Sequence, residues 1–350
     1  MQCDVSVLIV TYNSQECITG CLSSLRRAAG DCTYEVIVVD NASQDRTINT
    51  LQSALPQGRI IREGTNTGFA RAVNRAASVA RGEFLVLLNP DTILLDDALS
   101  SMVRFARAHP DYVAYGGRTL DGNGHLDPRS AWQAPSLWSC TCFALGLDRL
   151  PVGARWFDPE RMVGWRRNSV RAVDIVTGCF LLIRRCEWER LGGFDPTYFL
   201  YGEDADLGLR IRAFGGRSVI NPDAVLVHTV GASSSQRSDK MQLVLQGRAT
   251  LFRHHWPRWK AALGVLALQS GAGLRAAAER LRARSDRTDW LPVWNARATW
   301  RAGFVEARSF ELQSPTIPAT EPQVPTRSTP KPGRTDALRV KRVRTPGSWR

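Results

Sequence analysis

Zinc-type cysteine spacing is missing from this chain. Its eight cysteines include no Cys-x-x-Cys pair, and Cys140-Thr141-Cys142 is too tight to chelate. A zinc-stapled module is therefore excluded, and the unpatterned cysteines suit a reducing compartment. Cys17 and Cys21 fall one helical turn apart and read as packing residues. No run of 18 apolar residues occurs, so a spanning helix is not expected. A secretory leader is not expected either, because the first apolar segment alternates and ends in polar Thr11-Tyr12-Asn13-Ser14. Internal repeats are absent. An excess of one charge is missing from the first part: residues 1–247 carry 26 Lys+Arg and 26 Asp+Glu. The whole net charge of +13 comes from residues 248–350, with 20 bases against 7 acids. A neutral body with a basic appendage follows, and basic appendages bind nucleic acid or anionic membrane surfaces.

With 350 residues and a 43% apolar fraction, the chain can bury one large core or two smaller ones. Val5-Ser6-Val7-Leu8-Ile9-Val10 reads as a buried first strand. Ser14 caps a predicted helix to about Arg27, with Cys17, Ile18, Cys21, Leu22 and Leu25 on one face. Strands follow at 35–39, 59–62 and 84–88, alternating with helices at 46–55 and from Asn66 to Ala80. Such alternation means an α/β fold with a mostly parallel sheet covered on both faces. Further on, helices are predicted at 96–109, 187–191 and 204–214. Strands are predicted at 113–117, 173–184 (interrupted by Thr177-Gly178-Cys179), 217–220 and 225–228. Residues 121–170 read as irregular structure or short hairpins. Helices at 241–253 and 260–283 are divided by Pro257, and from about Gln313 the composition predicts disorder.

Two of the apolar runs end in acids. Val36-Ile37-Val38-Val39 ends in Asp40, and Phe84-Leu85-Val86-Leu87-Leu88 ends in Asn89-Pro90-Asp91. Later, Gly202-Glu203-Asp204-Ala205-Asp206 places three acids in four residues. Carboxyl ends of strands in open α/β sheets border the ligand crevice. Acids there suit a metal-held nucleotide diphosphate and a base for an acceptor hydroxyl.

At this point the residues resemble a known family. Val7-Leu8-Ile9-Val10-Thr11-Tyr12-Asn13, Val38-Val39-Asp40-Asn41-Ala42-Ser43, Asn66-Thr67-Gly68-Phe69-Ala70, Asn89-Pro90-Asp91-Thr92, Gly192-Gly193-Phe194-Asp195 and Glu203-Asp204-Ala205-Asp206-Leu207 come in one order. Together they resemble an inverting family-2 glycosyltransferase of GT-A fold, in the bacterial rhamnosyltransferase-like branch. The resemblance covers residues 5–230. It implies a catalytic domain over 1–245, with a nucleotide-binding half (1–118) and an acceptor half (119–245). A basic helical extension (246–310) and a disordered tail (311–350) would follow.

The resemblance also implies roles. Asp204 would be the base, with Glu203 orienting the acceptor. Asp206 reads as a helix-terminal acid. Thr11 and Asp40 would meet a pyrimidine base, Asp40 accepting N3–H. An N-cap for the 46–55 helix stands beside that reading. Asn66 and Gly68 would let the start of a helix approach phosphate, and Arg71 either adds charge there or is solvated. Asn89 departs from the family's Asp-x-Asp motif and Asp91 matches it. Asp91 and His228 would hold a divalent cation, Mg2+ or Mn2+. Gly178 would lie near the acceptor and the donor sugar, and Trp165 either stacks on a sugar or packs in the core.

The implied partners are a dTDP- or UDP-sugar donor, a lipid-linked or glycan acceptor and an anionic membrane surface, with no nucleic acid. The implied location is cytoplasmic, peripheral on the inner face of the cell membrane. For residues 246–310 both a membrane-binding role and a packed cap stay open. Two other classes remain: a nucleotidyltransferase and a basic nucleic-acid-binding protein. The first usually carries a Gly-rich basic loop after strand one, where this chain has Tyr12-Asn13-Ser14-Gln15.

Overall fold

Strand β1 (Val5–Thr11) is buried along its whole length, and its two faces feed two different cores. The computed structural model describes residues 3–56, 58–150, 152–228, 237–281 and 289–304. After β1 come α1 (Ile18–Ala28), β2 (Tyr34–Asp40), α2 (Thr47–Ala54), β3 (Arg59–Arg62), α3 (Phe69–Ala77) and β4 (Phe84–Leu88). Val5, Val7 and Ile9 pack with Ile18, Leu22 and Leu25 of α1. Leu8 and Val10 pack with Ala70, Val73 and Ala76 of α3. Burial on both faces explains the near-continuous apolar runs.

The chain continues through β5 (Thr92–Leu94), α4 (Ala98–Ala108), β6 (Ala114–Leu120), β7 (Ala131–Trp132), α5 (Leu137–Leu145), α6 (Ala154–Phe157), β8 (Arg171–Val173), β9 (Ile175–Val176) and β10 (Phe180–Arg184). Then follow α7 (Arg185–Leu191), α8 (Glu203–Ala213) and β11 (Ser218–His228). The main sheet runs β3-β2-β1-β4-β10-β6-β11-β5, with β8 also paired to β11. Pairing among β3, β2, β1 and β4 is parallel throughout. Strands β10, β5 and β8 run against their neighbours, so the other six point one way. The expected α/β class is what forms.

Three local expectations change. Ser14 does not cap α1: its hydroxyl accepts from Tyr12 N at 3.2 Å, and α1 begins only after Cys17. The strands expected at 217–220 and 225–228 are one strand, β11, with a register shift between Ile220 and Val225. The irregular stretch contains a helix, α5, opened by a reciprocal Ser136–Ser139 capping box. Arg167 orders the chain around it. Its buried guanidinium donates to the carbonyls of Pro128, Ala131, Arg161, Met162 and Trp165. One side chain thus satisfies acceptors that irregular backbone would otherwise leave unpaired.

Helices α9 (Arg237–His255), α10 (Arg258–Leu281), α11 (Trp290–Asn295) and α12 (Arg297–Ala302) form a third core around Phe252, Leu268, Val293 and Trp300. The expected boundary at 245/246 falls inside α9. The tail expected from Gln313 lies outside the described residues.

Candidate active site

A cavity of ≈390 Å³ lies between β10, the start of α8 and α9, and Asn89, Gly178, Glu203, Asp204 and His228 all line it. Gly202 makes the sharp entry into α8. Its φ is +111°, and a Cβ there would meet the Tyr198 ring at 2.8 Å. The helix therefore starts at the cavity wall and presents Glu203 and Asp204 from its first turn.

Asp204 accepts from Ala205 N at 2.7 Å and from Gly178 N at 3.4 Å. Burial raises its proton affinity, and these backbone donors work against that rise. Glu203 is buried deeper, and its Oε2 has no hydrogen-bond partner among the described residues. Burial, then the charge of Asp204, pushes it well above the usual carboxylate range. In this pair Glu203 holds the proton and Asp204 is the better anion.

Asp206 is turned away from the cavity. Arg210 Nε and His255 Nε2 each reach it at 2.8 Å. Burial alone would raise Asp206, but His255 and Arg210 bring it below its ordinary value. Beside it His254 Nδ1 lies 3.3 Å from Asp195. Among the described residues, Asp195, Asp206 and His254 form a cluster with metal-ligand spacing. Because Arg210 and His255 already answer Asp206, the cluster clasps the end of α9 to α8.

Sheet pairing joins residues far apart in sequence. His228 ends β11 opposite Thr92 of β5, one residue past Asp91. Its Nε2 lies 3.2 Å from Asp91 Oδ1, and both side chains are mostly buried. The preceding turn is fixed by Thr92 Oγ1 donating to the Asn89 carbonyl at 2.6 Å and by Asn89 N donating to the Cys179 carbonyl at 3.1 Å.

Further along the same sheet, Thr11 pairs with Asp40 across β1 and β2. Asp40 Oδ1 accepts from Thr11 Oγ1 at 3.0 Å and Ser43 Oγ at 2.6 Å, and Oδ2 accepts from Ser43 N at 3.0 Å. Asp40 does not cap α2; Asp45 accepts from Thr47 N at 2.9 Å instead. Asn66 Oδ1 takes Gly68 N at 3.0 Å, and Phe69 N donates to the Phe199 carbonyl at 2.7 Å. Gly68 has φ +86°, and a Cβ there would lie 2.5 Å from that carbonyl. The glycine is therefore demanded by Phe199, and the first N–H group of α3, that of Phe69, is used within the chain. Arg71 Nε reaches the Pro196 carbonyl at 3.3 Å.

Thr11, Asp40, Asn66 and Gly68 do not line the ≈390 Å³ cavity, and neither does Trp165. Trp165 lies 4.8 Å from Arg167 and 5.1 Å from Arg171 by ring centroid and packs on the second core. Trp132 lines the cavity instead. Sequence reasoning also missed its cations. Arg129 is held by buried Asp127 at 2.7 and 2.8 Å. Lys240 makes no hydrogen bond or ion pair with any described residue and sits 5.5 Å over the Tyr201 ring. Burial, then the charge of Arg129, lowers its proton affinity. Arg248 makes a two-point pair with Glu160 at 2.7 and 2.9 Å and closes the far wall. An Asp-x-Arg step in an irregular segment and one lysine entering a helix gave no periodic signal to find.

Comparison with known proteins gives a consistent picture. The family described as Glycosyl transferase family 2 matches residues 6–189. The chain is 30% identical over 301 residues to an N-acetylglucosaminyl-diphospho-decaprenol L-rhamnosyltransferase of Mycobacterium tuberculosis, covering 79% of this chain and 95% of the relative. It is 27% identical over 234 residues to rhamnosyltransferase WbbL of Escherichia coli, covering 64% and 83%. A mannosyltransferase of Pyrobaculum calidifontis, solved with GDP-Man and Mn2+, is 21% identical with a TM-score of 0.52, covering 86% of this chain and 84% of that one. That last likeness concerns the fold.

Proposed function

Because this chain belongs to glycosyl transferase family 2 and is a glycosyltransferase, we propose that it moves L-rhamnose from dTDP-L-rhamnose, or a sugar from a related UDP donor, to a polyprenyl-diphosphate-linked saccharide. The observation that carries the mechanism is Asp204, a carboxyl group that accepts from two backbone N–H groups at the wall of a cavity. An acceptor hydroxyl beside it loses its proton to Asp204 as its oxygen attacks the anomeric carbon. The C–O bond to the nucleotide diphosphate breaks on the opposite face, which inverts the configuration. One base suffices for a single displacement.

The leaving diphosphate needs positive charge. Lys240, with no ion pair among the described residues, and Arg129 supply it from the cavity wall. The pair Asp91 and His228 fits a divalent cation, Mg2+ or Mn2+, because one carboxylate and one imidazole leave positions for phosphate oxygens and water. When bound, that ion neutralises diphosphate charge. Asp40 has about four acceptor positions and uses three of them internally. The remaining position on Oδ2 suits a single imide N–H of uracil or thymine, with Thr11 holding the carboxylate in place. Trp132 gives the acceptor sugar a flat apolar surface. The saccharide acceptor is membrane-anchored, so the enzyme works peripherally on the inner face of the cell membrane, and nucleic acid is not its partner.

Radiolabelled dTDP-rhamnose and UDP-sugars, offered separately with membranes, test this reading. Label entering lipid from dTDP-rhamnose supports it. Label entering only from a UDP-sugar rejects rhamnose and keeps the transferase. Transfer from no donor overturns the proposal.

A further inference from the structure

Helix α10 is built inside out. Its buried face carries small residues, among them Ala261, Gly264, Gly271, Ala272 and Ala276, with Leu268. A Cβ on Gly271 would lie 2.6 Å from the Phe143 ring, so close approach to α5 requires the small residue. The large residues point outward. Trp259 (64% exposed), Leu263, Leu266 (57%), Leu274 and Leu281 recur on the opposite face. They form one stripe about 33 Å long. A helix of a globular protein normally does the reverse. Among the described residues α10 is the helix long and apolar enough to cross a membrane. Its inner face instead packs on α5, α9 and α11.

The stripe does not end at α10. Leu274 lies beside Gly146, next to exposed Leu145 at the end of α5. On the same outer face of α5 stands Trp138, whose indole N–H donates to the Trp156 carbonyl at 2.8 Å. Trp156 (74% exposed) and Val152 (81%) extend the surface. Monomeric soluble proteins rarely expose apolar area on this scale.

Among the described residues the exposed charges around it are mostly basic. Arg258 and Arg280 are exposed at the two ends of α10, and Arg149 and Arg155 flank α5 and α6. No charged residue occurs from Ala261 to Leu274. Of the nearby acids, Asp289 is exposed, whereas Asp148 pairs with Arg275 at 2.6 Å and Glu279 accepts from Trp290 N and Leu291 N. A second copy packed antiparallel on the stripe would set Arg258 against Arg280. Anionic lipid headgroups answer that rim, and acyl chains answer the stripe.

We propose that the outer face of α10, together with the Trp138–Trp156 edge, is a surface that docks flat into the headgroup layer of an anionic bilayer. The docking edge starts near the reaction cavity: Pro135 lines that cavity and Trp138 stands three residues on in the chain. A lipid-borne headgroup can thus enter the cavity while its tail stays in the membrane. Docking needs no donor and no turnover, so its failure would leave the transfer reading standing.

Flotation of the full chain with phosphatidylcholine–phosphatidylglycerol vesicles, at low and high salt, tests the surface. Purely electrostatic attachment through other basic residues fades at high salt, whereas apolar insertion persists. The variant Leu263→Gln/Leu266→Gln/Leu274→Gln should lose at least about tenfold of its high-salt binding. Its thermal midpoint should stay unchanged, since all three positions are exposed. If it does unfold early, quenching of wild-type tryptophan fluorescence by brominated lipid reads the same insertion. Undiminished binding by the folded variant, or no quenching, overturns the proposal. So does a wild-type dimer in sedimentation that the triple variant dissolves.

Discussion

Asp40 and Asp204 both border the crevice of one sheet, yet their surroundings differ. Asp40 is answered by Thr11 and Ser43 from its own half. Among the described residues Asp204 has only backbone donors, beside a Glu203 oxygen with no partner and a Lys240 with no ion pair there. Buried polar groups are normally paired, so unpaired ones mark places where a ligand completes the set. On the proposed reading, the half with satisfied acids holds the donor in a fixed frame. The half with unsatisfied groups is then where the proton moves.

Exchanging Asp204 for Asn is the strongest way to break that contrast. Transfer should fall roughly 10²–10⁴-fold, the range for a lost general base, while nucleotide affinity by calorimetry stays the same. Near wild-type turnover would remove Asp204 from the mechanism. In wild type, activity should rise with pH, because burial has raised the Asp204 proton affinity and only the anion accepts.

Excess chelator should lower transfer by about 10³-fold, the several kcal/mol a cation contributes to a leaving diphosphate. Undiminished activity in chelator would leave Asp91 and His228 as a structural pair. Lys240→Met sharpens the contrast from the basic side. Its kcat should drop by about 10²-fold, as for a removed charge-stabilising donor, with no loss of thermal stability. A destabilised variant with normal kcat would mean that Lys240 is scaffold.

Asp40→Ala should do the opposite and cost about 1–3 kcal/mol of stability, because Thr11 and Ser43 lose their acceptor. Thermal unfolding measures it, and an unchanged midpoint would refute the scaffold role. The smallest effect is expected from Glu203→Gln. Glu203 binds its proton more tightly folded than unfolded, so wild-type stability falls as pH rises above the usual carboxylate range. Gln has no proton to lose. The variant should therefore melt about 1–2 °C higher than wild type at mildly alkaline pH, the shift of about 1 kcal/mol in a chain of this length, and no higher at acid pH. Parallel pH profiles would show that Glu203 is ionised.

Much of the α/β frame was legible because its strands are buried on both faces and its helices carry long periodic stripes. β3 and β4 lie where the apolar runs put them. Family membership decides against the nucleotidyltransferase and nucleic-acid-binding readings. What escaped depends on contacts across the chain. β5 is three residues long and exists by pairing with β11. α5 is apolar all round, so no stripe announced it, and its cap uses serine at both ends. Trp165 and Trp132 carry the same side chain; only the closing of β7 on β9 decides which one reaches the cavity. For residues 246–310 the membrane and cap readings are alternatives, yet α10 has a face for each: among the described residues its inner face packs on α5, α9 and α11, and its outer face is exposed.

The contact between Gly68 and Phe199 has a mechanical consequence. Phe69 N at the head of α3 grips the Phe199 carbonyl, and three residues later the chain turns at Gly202 into α8. The gap at Gly68 is too small for a single added carbon. A tilt of α3's first turn would therefore reach, through the four intervening residues, the carboxylate of Asp204 that the proposal makes the base. The contact would act as a lever with a short arm, which insertions between Phe199 and Gly202 should disconnect and insertions between α5 and α6 should not.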